Sequence, residues 1–268
     1  MTTADKLFNG AIPEIYDKLL VPLIFEPYAL DLAKRVAATH PRKVLETAAG
    51  TGVLTRAIAL QISKDARLSV TDLNPSMLAQ AARQLDDRRI EWAQADALAL
   101  PYEDRSFDVV ACQFGAMFFP DKVQAYKEAF RVLRPGGHFY FNVWDRISEN
   151  EFADSITEAL AEVFPHDPPR FMARTPHGYN DGERIRKELN AAGFTKVSIE
   201  VLEERSRASS PLEAAIAYCQ GTPLRNEIES RDESLLESAT RRAADALERR
   251  FGKGAIEGRI RALVVTAT

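Results

Sequence analysis

The feature that most constrains this chain is an alternation that begins at Lys43. Short runs rich in apolar and β-branched residues ("KVLETA", "RLSVTDL", "IEWAQAD", "FDVVACQF", "GHFYFNVW") are separated by segments with helical periodicity ("TGVLTRAIALQI", "PSMLAQAARQL", "DKVQAYKEAFRVL"). Parallel strands need long crossover connections, and helices supply them, so the alternation predicts a mostly parallel sheet with helices on both faces. The strand "FDVVACQF" is almost wholly apolar, as a central strand covered on both sides must be. "LRPGGHFYF" predicts a Pro-Gly-Gly turn between the preceding helix and the next strand.

On either side the pattern changes. "IPEIYDKLL" and "PLIFEPYALDLAKRVAA" predict an N-terminal helical region. After Trp144 come a helix near Glu151 to Phe164, the proline-rich "FPHDPPRFMARTP", a helix near Asp181 to Ala192, and the strand "KVSIEVLEERS". Beyond "SSPLEAAIAYCQGTPL" the spacing predicts one charged amphipathic helix to about Arg250, with Ile228, Leu235, Leu236, Ala239, Ala243, Leu247 and Phe251 on one face. "GAIEGRIRALVVTAT" closes the chain as a last strand. The expected architecture is α/β: a Rossmann-like, seven-stranded, mostly parallel sheet with a helical cap, in a single domain over 1–268. Within it, 1–40 forms a helical lid, 41–145 the ligand-binding core, 146–195 and 207–253 cap insertions, and 196–206 and 254–268 the last strands.

Composition excludes several classes. A net charge of −4 gives no overall basic field for nucleic acid or an anionic membrane. No uncharged apolar run approaches membrane-spanning length and the N-terminus lacks the pattern of a secretory leader, so the expected location is the cytoplasm, without membrane insertion. Two separated cysteines, Cys112 and Cys219, indicate neither a disulfide framework nor a thiolate metal site; Cys112 reads as a buried thiol. Of the four histidines only His166 and His177 fall in the cap, where they read as solvated loop residues.

The chemistry concentrates in "KVLETAAGTGVLTRA", where a strand turns into a helix through small residues. Such a join lets a ligand approach backbone N–H groups closely. Pyrophosphate of a dinucleotide fits it poorly, because Gly50-Thr51-Gly52 is followed by Val53, Leu54 and Thr55 rather than a third glycine, and Glu46 would repel the phosphates. A positively charged ligand suits it better. "ETAAGTG" resembles the first motif of the class I S-adenosylmethionine-dependent methyltransferases, with Ala48 where that family usually carries its first glycine, and the likeness extends over most of the chain, closest to the quinone-biosynthesis-like subgroup.

That resemblance implies S-adenosylmethionine as cofactor, held through Glu46, Thr47, Ala48, Gly50 and Gly52. It gives Asp72 of "LSVTDLNPSML" the ribose hydroxyls, sets Leu73 and Met77 beside the adenine, gives Asp96 the adenine amino group with the N–H of Ala97 at the ring, and puts Gln113 at the methionine end. "EIYDKLLVPLIFEPYA" is similar to the subgroup's lid segment, which has Tyr16 closing over the cofactor. Structural alternatives stand beside these roles: Asp72 as an N-cap, Asp96 as an exposed loop acid, and Gln113, Tyr16 and Met77 as packing residues. The implied reaction is in-line methyl transfer to a small-molecule acceptor, for which no catalytic base is visible, and Phe114, Phe118, Phe119 and Trp144 are candidates for an apolar acceptor pocket. A nicotinamide-dependent oxidoreductase and a non-catalytic binding module are the competing classes.

Overall fold

The computed structural model describes residues 12–268, so the part of the lid expectation that falls on 1–11 lies outside the described residues. Strands β1 (Lys43–Glu46), β2 (Arg67–Asp72), β3 (Ile90–Gln94), β4 (Phe107–Gln113), β5 (Leu133–Trp144), β6 (Val197–Ala208) and β7 (Ile256–Ala267) form one sheet in the order β3-β2-β1-β4-β5-β7-β6. All seven fall on the runs that the periodicity marked, and the apolar run of β4 occupies the middle of the sheet. The chain winds outward from β1 to β3, then returns to lay β4 on the other side of β1. Open α/β sheets bind ligands where the strand order reverses in this way.

The pairing is parallel across β3-β2-β1-β4-β5, and its register fixes which side chains share a face. Glu46 lies level with Val70 on one side and Ala111 on the other, Asp72 with Gln94, and Gln113 with Asn142. Every one of these polar residues sits at a carboxyl end.

The chain divides into two compact units. One comprises Glu26–Val143, Asn180–Leu202 and Leu263–Thr268. Its helix Glu26–Ala38 turns Ala29, Leu32, Ala33 and Val36 onto Val44, Leu68, Val70 and Val109, together with Leu54, Ala57 and Ile58 of helix Val53–Ala59. On the opposite face Phe139 and Phe141 of β5 meet Tyr126, and Phe194 packs between Phe139 and Phe130. The helices here start on polar caps: Asn74 accepts from the N–H of Ser76, Asp121 from Gln124, and Asp181 from Glu183 and Arg184.

The other unit comprises the residues up to Phe25, Trp144–Tyr179 and Glu203–Ala262. Its N-terminal segment, expected to be ordinary helix, is a π-helix over Tyr16–Phe25 with Pro22 inside it, where a missing N–H disturbs the usual hydrogen-bond ladder. Helix Leu236–Phe251 packs Ala239, Ala243 and Leu247 inward and lies against helices Glu151–Val163 and Pro211–Gln220.

Three expectations need correcting. The single charged helix to Arg250 is two helices, Leu224–Arg231 and Leu236–Phe251. Asp232 adopts an extended backbone between them and its carboxylate takes the N–H of Ser234, which starts a short turn instead of prolonging the helix. The helix drawn from Thr51 to Ile62 is only Val53–Ala59: Gly52 is left-handed at φ 80°, and beyond Ala59 the guanidinium of Arg89 takes the carbonyl oxygens of Ala59 and Ser63 at 2.6 and 3.1 Å. The Pro-Gly-Gly segment lies within β5 rather than before it. Pairing starts with Leu133 opposite Phe107, breaks, and resumes with His138 opposite Val109. A side chain at Gly137 would press on the carbonyl oxygen of Asp108 at 2.9 Å, which explains a glycine inside this bulge.

Asp108 joins the amino ends of three strands, accepting from the N–H groups of Arg42 and Lys43 at 2.8 Å each and pairing with Arg134 at 2.7 Å. Asp108→Ala removes these bonds while the exposed N–H groups turn to water, and is expected to cost about 0.5–1.5 kcal/mol of stability. A urea titration checks it, and a wild-type midpoint would refute the assignment.

Candidate functional site

The carboxyl ends of β1 to β4, all in the unit that contains Glu26–Val143, bring the sequence-marked residues onto one edge. Glu46 is at the centre and 1% exposed. One carboxylate oxygen accepts from the hydroxyl of Thr55 at 2.7 Å, while Oε1 is buried and finds no hydrogen-bond partner among the described residues. Burial pushes its pKa up to about 8, with the carboxylate of Asp72 adding to the rise and Thr55 and Arg56 working against it. An acid kept in a dry site with one oxygen unmatched is costly to the fold, and a cationic ligand would offset that cost.

The loop after Glu46 is built from uncommon backbone. Ala48, Gly50 and Gly52 have φ of 52°, 58° and 80°, all in the left-handed region. Glycine adopts that region without penalty; Ala48 does not. The loop is fastened at several points: the N–H of Thr47 donates to Ala111, that of Ala49 to Thr71 at 3.0 Å, and Arg56 donates to the carbonyl of Thr51 at 2.8 Å. A side chain at Gly52 would meet the Cβ of Ala81 at 3.0 Å, and Met77 lies 3.8 Å from where a Cβ on Gly50 would stand. Both glycines are thus required by conformation, and Gly52 by packing as well.

Asp72 ends β2, half-buried, and grips this loop: one oxygen accepts from the N–H of Gly50 at 2.8 Å, the other from Asn74 at 2.7 Å. Burial raises its pKa and the two N–H groups pull it back. The N-cap alternative for Asp72 fails, since Asn74 caps helix Pro75–Gln84. Leu73 is 48% exposed, an apolar side chain left beside the loop, whereas Met77 is buried. Next along the edge, the N–H of Ala95 donates to the carbonyl of Asp72, and the amide of Gln94 to that of Leu73. Asp96 follows, exposed, with one oxygen on the N–H of Leu98 at 2.9 Å and Ala97 beside it. These contacts hold the second and third turns side by side.

Gln113 ends β4 and is 9% exposed. Phe114 follows with φ 49° and sets its ring edge-on to Tyr28 at 5.3 Å, so that ring is core packing. Cys112 is buried, and burial pushes its thiol up to about 12, which leaves it an inert thiol at neutral pH. Thr55 and Asn142 escaped the sequence reading. The one available signal was a polar residue on an otherwise apolar face.

Tyr16 and Trp144 belong to the other unit, where Phe25 packs on both at 5.2 and 5.8 Å. His177 corrects the solvated-loop expectation. It is buried, its Nδ1 lies 2.8 Å from the carbonyl oxygen of Asp145, and burial lowers its pKa to about 4, so it is neutral at physiological pH. His166 is exposed.

The cradle fits an S-adenosylmethionine-like ligand by two observations: a buried carboxylate oxygen unmatched among the described residues, for a positive group, and a second carboxylate fastened to the same loop. Comparison with known proteins points the same way. The chain is similar to the ubiquinone/menaquinone biosynthesis C-methyltransferase UbiE of Hahella chejuensis, 44% identical over 164 residues, covering 56% of this chain and 66% of that one. The corresponding protein of Cronobacter sakazakii is 30% identical over 170 residues, covering 59% and 68%. Two solved structures share the fold. They are phosphoethanolamine N-methyltransferase 2 of Haemonchus contortus, in complex with S-adenosylhomocysteine (TM-score 0.58, 16% identity, 96% and 56% covered), and the YcgJ protein of Bacillus subtilis (0.55, 17%, 88% and 97%). The profile of the ubiE/COQ5 methyltransferase family matches residues 24–203, and the chain belongs to that family of S-adenosylmethionine-dependent methyltransferases.

Proposed function

We propose that the edge formed by Glu46, Thr47, Ala48, Gly50, Gly52, Asp72, Leu73, Met77, Asp96, Ala97 and Gln113 holds S-adenosylmethionine, and that the enzyme uses it to methylate a small-molecule acceptor. The observation that carries this reading is the buried Glu46 carboxyl with an oxygen that none of the described residues matches. Glu46 takes the positive charge, Asp72 the ribose hydroxyls, and the Asp96–Ala97 turn the adenine edge, with Leu73 and Met77 against its face. Tyr16 keeps its part on the resemblance alone.

The cofactor supplies a methyl group on a positively charged sulfur, already activated for displacement. What the protein must add is alignment, worth up to ~7–11 kcal/mol of a barrier in favourable cases. A fastened loop suits that task, and no side chain at this edge is needed as a base. The family match stops at residue 203, so the stretch 204–268 falls outside it. The relatives' carbon acceptors therefore do not carry over residue by residue, and the acceptor is assigned only as a small molecule. A nicotinamide enzyme is disfavoured by an acidic side chain at Glu46, which gains nothing from a phosphate beside it, and by the absent third glycine.

Two outcomes check the reading. Asp72→Ala should lower affinity for S-adenosylhomocysteine about 10–100-fold, the loss of hydrogen bonds to a charged group, in a calorimetric titration. NAD should leave the melting temperature unchanged while S-adenosylhomocysteine raises it; the reverse pattern sinks the assignment.

A third check is a pH dependence. With Glu46 raised from 4.5 to about 8, the folded protein holds a proton there that the unfolded chain releases, so stability falls as pH climbs through that window. A cationic ligand prefers the ionised form. Affinity for S-adenosylmethionine should rise towards pH 8 and then level off, while Glu46→Gln weakens binding, flattens this profile and removes the loss of stability. An unchanged slope in the variant would show that another group titrates.

A further inference from the structure

Asn142 lies fully buried on β5, level with Gln113 on β4, and none of the roles above uses it. Its side-chain Oδ1 accepts the N–H of Phe114 at 3.0 Å, and its backbone oxygen shares that proton at 3.2 Å. Phe114 is held in left-handed backbone, φ 49°, a conformation that a bulky residue keeps only when its surroundings impose it. The result is a sharp turn that lays Gly115 flat on the cofactor loop. A Cβ at Gly115 would stand 2.4 Å from the Cβ of Ala48 and 2.8 Å from the sulfur of Cys112. Ala48 is itself left-handed at φ 52°. Two strained turns, one ending β1 and one ending β4, are therefore locked together through Gly115, and Asn142 fastens the outer one.

We propose that Asn142 is a positioning residue for methyl transfer: through Oδ1 it fixes the Phe114–Gly115 turn against Ala48 and so sets the shape of the loop that receives the cofactor. The residue acts through the backbone and touches no reacting atom. A leucine of nearly equal size at this position fills the space but offers no side-chain acceptor; the N–H of Phe114 then keeps only the backbone oxygen of residue 142 at 3.2 Å, and the turn that sets Gly115 against Ala48 is loosened. An aspartate keeps the acceptor.

The inference rests on S-adenosylmethionine binding at this edge, and calorimetric titration with S-adenosylhomocysteine separates the two. Failure of the wild-type chain to bind would remove the underlying reading. If it binds, folded Asn142→Leu should lose at least about tenfold in affinity, with Asn142→Asp, whose buried carboxyl keeps an acceptor oxygen in its protonated form, losing clearly less. Wild-type affinity in the leucine variant overturns the proposal. Equal loss in both variants overturns it too, because the acceptor would then not be what matters. Should the leucine variant fail to fold, Gly115→Ala tests the same contact from the other side. It should weaken binding, and Ala48→Gly added to it should restore part of the loss by removing the methyl group it strikes. Undiminished binding by Gly115→Ala would refute the lock.

Discussion

The parallel pairing of β1 with β2 on one side and β4 on the other is the constraint on which the rest depends. It brings every carboxyl end to the same edge, so that the loop after each strand faces the loops of its neighbours. With β1 flanked by β2 and β4, Glu46 is closed off on both sides, and the strand turns that follow pack on one another. The buried carboxyl, the left-handed loop and the interlocked Ala48 and Gly115 are all consequences of where β1 lies.

This arrangement is expensive for the fold. A buried acid with an unmatched oxygen, and an alanine and a phenylalanine in left-handed backbone, each oppose stability. All of them sit at the reversal of strand order, and none of the comparable ends at β6 or β7 carries positive φ at a residue other than glycine. His40 and Arg105, left-handed as well, precede β1 and β4 at the opposite edge; at the carboxyl edge the strained residues adjoin a buried acid, and the apolar layers on the two faces of the sheet hold them.

The division of the family match is informative in the same way. It covers 24–203, which includes the whole of the edge from β1 to β4, and leaves out helices Pro211–Gln220, Leu224–Arg231 and Leu236–Phe251 and strand β7. A shared cofactor explains a shared edge.

Much of this was legible from the residues alone. Strand and helix periods gave the seven strands, because a strand covered on both faces must be apolar and an amphipathic helix must repeat its apolar side chains; "ETAAGTG" stood out by its small residues, and the acids after it were singled out by the family resemblance. What the chain could not declare by itself were contacts between distant segments: Asn142 pinning Phe114, Thr55 reaching Glu46, Arg89 ending the helix at Ala59 and His177 sinking out of solvent. Local pattern reports the preferences of neighbours along the chain, whereas burial and hydrogen-bond partners are set by residues brought together only when the sheet closes its register. Hence the sequence alone determined the order of elements and the family motif at the carboxyl end of β1, and only the tertiary structure decided which polar groups there are satisfied, strained or left unmatched.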